Sequence, residues 1–193
     1  MDKIIQNLDI QQPGIWFPLM VAVILLVLII LMPKRQITRR GMYITFGVVG
    51  YVGLVLDVNL LGTYFDWFDL GSRTTEGIGD LASYGIIPPC LAILYLNYLN
   101  RKNFWQYVTL FSVISLLFEI VLTQVGYMTL KGWRHWYSVP VFILIYGVWL
   151  PWHYKILRPI GGIKTEQGQC LKRHAAGIVQ PAMKPLKQEK NRR

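Results

Sequence analysis

Five long apolar runs dominate the chain, at 15–32, 42–60, 81–99, 104–125 and 136–154, with short polar stretches between them. Each approaches the roughly 20 residues that a helix rising about 1.5 Å per residue needs to cross hydrocarbon. They are too long for strands and show no sustained alternation. The pattern predicts an all-α fold, a polytopic membrane bundle of five transmembrane helices. The first run does not read as a cleaved leader. Only Lys3 precedes it, no small-x-small site follows, and it ends in Pro33-Lys34-Arg35, so it is expected to be a retained anchor. Pro88-Pro89 interrupts the third run, and Pro140 and Pro151 lie near the two ends of the fifth. Each removes a backbone donor, so kinks are expected there.

Lysines and arginines are distributed unevenly among the connections. Alternate compartments receive sixteen and four of them, and the richer side holds Lys34, Arg35, Arg39, Arg40, Arg101, Lys102 and the segment from Lys155 onward. Positive charge collects on the cytoplasmic side. The expected topology therefore has the N-terminus outside and the C-terminus cytoplasmic. Trp16, Trp67, Trp105, Trp133, Trp136 and Trp152 all fall near predicted interfaces, where amphipathic rings settle.

Composition narrows the function classes. Hydrophobic residues make up 53% and charged residues 16%, against about 25% charged in a soluble domain. An ordinary soluble enzyme, a disulfide scaffold and a disordered chain are excluded. The net charge of +10 would suggest nucleic acid in a soluble protein. Half of the positive charge lies from Lys155 onward, so anionic lipid headgroups are the expected partners and no nucleic acid is expected. The domain reading is a bundle over 1–155 and a basic, disordered cytoplasmic tail over 156–193, which holds too little apolar material for a core. Cys90 lies in a span and Cys170 in the tail, so no disulfide is expected, and no Cys/His cluster suggests a metal.

Ionisable residues inside spans are functional candidates, and two stand out. Asp57 lies near the outer end of the second span and Glu119 in the fourth. At 100° per residue, Ser112, Ser115, Glu119, Thr123 and Gly126 share one narrow arc, as do Tyr43, Gly50, Gly53 and Asp57. Small residues let helices approach closely. Spans two and four are therefore expected to face each other, or a shared cavity, with both carboxylates inward. Arg73, Lys131, Arg134 and His135 are the neighbouring cations of the outer loops, and Trp133 sits among them. These groups form either a structural lock, a ligand, ion or proton site, or a contact with lipid headgroups.

In the outer stretch from Leu61 to Gly71 aromatic and acidic residues alternate. It is expected to be a short interfacial helix or a re-entrant turn, with Asp66 and Asp69 in water or paired with Arg73. The second outer loop is aromatic and basic, so opposite charge would dock the two. Spans two–three and four–five echo one another as hairpins, each with one acid in its first arm. No nucleophile–base, phosphate-loop or zinc motif is present. No cofactor and no enzymatic activity are expected. The expected role is a scaffold, accessory or sensing protein with a polar cleft open to the outer face. The alternative is a small transporter or channel subunit acting as an oligomer. A homo-oligomer or another membrane protein would be the partner in either case.

Asp57, the Gly62-Thr63-Tyr64-Phe65-Asp66-Trp67 stretch, Phe118-Glu119, and Gly132-Trp133 followed by Tyr137-Ser138 give residues 40–155 a resemblance. The region resembles an uncharacterised family of small multi-pass membrane proteins of spore-forming Firmicutes. The resemblance implies a bacterial cytoplasmic membrane and no particular activity.

Overall fold

The apolar runs fold as helices in the computed structural model, which describes residue 8 and residues 10–56, 64–71 and 77–157. Helix α1 is Trp16–Leu31, α2 is Arg39–Gly53, α3 is Ile78–Tyr98 and α4 is Phe104–Gln124. Helix α5 covers residues 135–157 in three consecutive pieces, His135–Leu144, Ile145–Trp149 and Leu150–Leu157. The described chain is mostly helical, as the pattern requires. Two helices, α3 and α4, are long and apolar enough to cross a membrane; α1 is apolar but shorter, reaching about 24 Å. The second predicted span continues past the described residues. Asp57, Arg73, Cys170 and the tail from 158 lie outside them.

Helix α3 is the hub. Two thirds of its apolar window is buried, against one third for α4. It packs through Ile87, Cys90, Leu91 and Ile93 on Ala22, Leu25 and Ile29 of α1. Through Ala92, Tyr95 and Leu96 it packs on Val49, Val108, Phe111, Tyr146 and Leu150. At its far end, buried Asn97 accepts from the backbone N–H groups of Arg35 and Gln36 and donates to the Pro33 carbonyl. One side chain thus satisfies the turn between α1 and α2.

The prolines produce wide helical turns rather than simple kinks. Residues Leu81–Ile86 precede Pro88-Pro89, and Ile145–Trp149 precede Pro151; both are π-helical. In the α pattern Pro88 and Pro89 would donate to the carbonyls of Tyr84 and Gly85, and neither has an N–H. Glycines of α2 lie against these two carbonyls. A Cβ at Gly53 would come 2.8 Å from the Tyr84 oxygen, and one at Gly50 would come 3.0 Å from the Gly85 oxygen. Of the two arrangements expected for this face, direct contact with α4 is corrected, while the shared cavity is found, with Gly53 lining the same space as Ser115 and Glu119 of α4. The face packs on α3, because the crowded carbonyl ridge admits only residues without a Cβ. The second π turn is completed by a side chain. Leu150 N–H reaches the Ile145 carbonyl, Pro151 cannot serve Tyr146 in the same way, and the Tyr95 hydroxyl donates to the Tyr146 carbonyl at 2.6 Å.

The expected interfacial helix or re-entrant turn is a strand instead. Strand β1, Phe68–Leu70, runs antiparallel to β2, Met128–Leu130, with Phe68 opposite Leu130 and Leu70 opposite Met128. Apolar–acidic alternation has period two, the period of a strand: Phe68 is buried while the Asp69 carboxylate meets Lys131. Lys131 pairs with both Asp66 and Asp69; the expected partner Arg73 lies outside the described residues. Helix α4 ends at Gly126, whose φ of +78° favours glycine, and the Tyr127 N–H returns to the Leu122 carbonyl. That turn aims the Tyr127 hydroxyl at buried Asp80, 2.8 Å away. Both hairpins repeat one order: a helix, a strand of the shared ribbon, then a helix with a π turn ahead of proline.

Candidate functional site

Below the ribbon, α2, α3, α4 and α5 enclose a cavity of about 400 Å³. Val49, Val52, Gly53 and Leu56 form its α2 wall, and Ser83, Tyr84, Ile87, Pro88, Leu91 and Ala92 its α3 wall. Helix α4 supplies Ser115, Phe118, Glu119 and Leu122, and α5 supplies residues from Ser138 to Leu150. Trp67, Phe68, Met128 and Trp133 roof it. Helix α1 takes no part. Leu56 and Val141 line the cavity yet are 46% and 43% exposed. The cavity therefore reaches the surface on the flank between α2 and α5.

Glu119 reaches this wall because α4 turns one stripe inward: Val108, Phe111, Ser112, Ser115, Glu119 and Leu122 are its buried residues. Its Oε1 is 2.9 Å from Nδ1 of His135, which donates to it. His135 opens α5, so its imidazole projects from the first turn toward α4. Protonated, the pair is an ion pair; neutral, it is a hydrogen bond that fixes the tautomer. Ser115 Oγ and the Tyr146 hydroxyl share a hydrogen bond of 2.9 Å. The Trp133 indole donates to Ser138 Oγ at 2.8 Å, while its ring packs on Trp67 and Tyr137. Ser83 Oγ is buried on the cavity wall and has no hydrogen-bond partner among the described residues.

The structure brings together Glu119, His135, Ser115 and Trp133 of the residues expected from the sequence. Ser112 is buried but lies off the cavity, with its hydroxyl unpartnered among the described residues. Thr123 points back along α4 and donates to the Glu119 carbonyl, a local bond that takes it out of the site. Arg134 is exposed at the N-cap of α5 and away from the cavity. Asp57 and Arg73 lie outside the described residues. The expected polar cleft open to the outer face is corrected in its character: the walls are mainly aliphatic and aromatic, with a few polar groups set into them. Sequence reasoning missed Ser83, Ser138, Tyr146 and Asp80. Asp80 sits one residue before the third predicted span and was not counted as intramembrane, although its place in the first turn of a helix suits a carboxylate. Ser83 lies three residues after Asp80 on the same helix, so finding the one would have pointed to the other.

No group of three or more His, Cys, Asp or Glu among the described residues could hold a metal. No known family, curated protein or solved structure matches the chain.

Proposed function

We propose that this chain is a five-span membrane protein, ribbon end outward, that binds a small and mainly apolar ligand without transforming it, as a sensing or accessory component. The surface supports the spanning part. Val23, Val27 and Ile30 of α1, Leu110, Val113 and Leu117 of α4, and Ile143, Leu144 and Val148 of α5 are all exposed. Apolar faces this large on several helices fit lipid better than water. Trp16 and Trp136 mark one end of the belt and Trp105 and Trp152 the other, each more than half exposed. Trp136 and Trp152 are sixteen residues apart on α5, about 24 Å along the axis. Lys34, Arg35, Arg39, Arg40, Lys102 and Lys155 gather at the end opposite the ribbon, which supports a cytoplasmic far end.

One observation carries the binding part: an apolar cavity of about 400 Å³ with a carboxylate in its wall and an open flank. Small-molecule sites combine these features. Photolabelling in liposomes with a small neutral aryl diazirine tests it. Labelling of the Phe118–Leu122 and Val141–Leu150 stretches should saturate, should be competed by unlabelled compound, and should fall in Val52→Trp, which fills the cavity. Labelling that never saturates and is unchanged in Val52→Trp overturns the reading.

A further inference from the structure

We propose that the ligand is an organic cation, with an ammonium or phosphonium centre on an apolar body. This rests on the binding reading above and names the ligand's chemistry. Among the described residues that line the cavity, Glu119 is the one carboxylate and none is a Lys, Arg or His; His135 meets Glu119 from outside that lining. Glu119 Oε1 is taken by His135, while Oε2 has no hydrogen-bond partner among the described residues. A carboxylate oxygen at the edge of an apolar, low-dielectric space attracts a cation far more strongly than it would in water. An anion is repelled there. A pure hydrocarbon would leave the buried Ser83 hydroxyl unanswered and would make no use of the carboxylate.

The rest of the wall suits the same guest. Trp67, Tyr84, Phe118, Trp133, Phe142 and Trp149 line the cavity. Aromatic faces carry negative quadrupole potential and favour cations, including quaternary ones with no N–H to donate. The Trp67 and Trp133 rings lie 5.4 Å apart and are tilted by 31°, which makes an aromatic roof over the apolar walls. Entry is through the flank between Leu56 and Val141, both surface residues. In the five-span reading that flank opens on lipid, where a cation with an apolar body already partitions.

Tetraphenylphosphonium and tetraphenylborate have the same shape and opposite charge, so they isolate the electrostatic part. Equilibrium dialysis of each radiolabelled ion against the full-length protein in detergent should show saturable binding of the phosphonium, at least tenfold tighter than that of the borate. Glu119→Gln should remove that preference and Glu119→Asp should retain most of it. Leu56→Lys places a cation at the exposed mouth without touching the core. It should weaken phosphonium binding and strengthen borate binding. Equal affinity for the two ions, or a preference that survives both Glu119→Gln and Leu56→Lys, overturns the proposal. If the neutral diazirine still labels saturably in that case, the cavity remains a binding site for uncharged guests and only the cation assignment falls. If neither ion binds and the diazirine labelling does not saturate, both readings fall.

Discussion

A carboxylate buried among helices needs a partner, and among the described residues the Glu119 carboxylate has one, His135. Removing that donor strands a desolvated oxygen, at a cost of about 1–3 kcal/mol. His135→Ala should lower the thermal unfolding midpoint in detergent, and His135→Gln, whose amide can still donate, should recover most of the loss. Tyr95 makes a parallel case. It is fully buried and donates to a carbonyl that Pro151 cannot serve. Tyr95→Phe should cost about 1–3 kcal/mol, measured by denaturant unfolding, with little change in packing because the ring is kept. Glu119 was legible in the sequence because a lone acid in an apolar run is expensive and its serine neighbours share its face. Tyr146 and Tyr95 were not, since a tyrosine in a span looks the same whether its hydroxyl faces lipid or closes a helix defect 51 residues away.

Helix–helix fit depends on matching a missing donor on one element with a missing side chain on another. Pro88-Pro89 raise the Tyr84 and Gly85 carbonyls, and Gly50 and Gly53 lie on them. Gly47, another of the four glycines of that helix, has open space where a Cβ would be. Gly47→Ala should be neutral or stabilising by up to about 1 kcal/mol, the helix-propensity difference. Gly53→Ala should destabilise and open the α2–α3 contact, read as faster amide exchange in α3 near Tyr84. Comparable loss in the two variants would refute the close approach. Both glycines and both prolines stand out in the sequence, yet neither motif names its partner helix. Periodicity places residues on a face, and only packing decides which neighbour meets it: the glycine face, expected against α4 or a shared cavity, lies on α3 and gives Gly53 to a cavity shared with α4. The ribbon was hidden for a related reason. A three-residue strand is stabilised by its cross-strand mate, and Met128–Leu130 lies 60 residues away.

At the scale of the whole molecule, charge and aromatic placement bear on orientation independently of any helix length. At the ribbon end Lys131 is paired with both Asp66 and Asp69, one ammonium against two carboxylates. The opposite end carries cations, and Arg35 stacks over Tyr98 there at 5.4 Å. An odd number of passes puts the two termini on opposite sides, and the cation-rich end must then hold the turns α1–α2 and α3–α4 together with the end of α5. Substituted-cysteine labelling in a Cys90→Ala, Cys170→Ser background tests this with a membrane-impermeant maleimide. Tyr64, 81% exposed at the ribbon end, should label as Tyr64→Cys in intact cells. Lys102→Cys, in the turn before α4, should label only after permeabilisation. The reverse pattern would invert the molecule and turn the cavity mouth toward the inner leaflet. Labelling of both positions in intact cells would mean that α3, which lies between them in sequence, does not separate two compartments, and the five-span arrangement would fail.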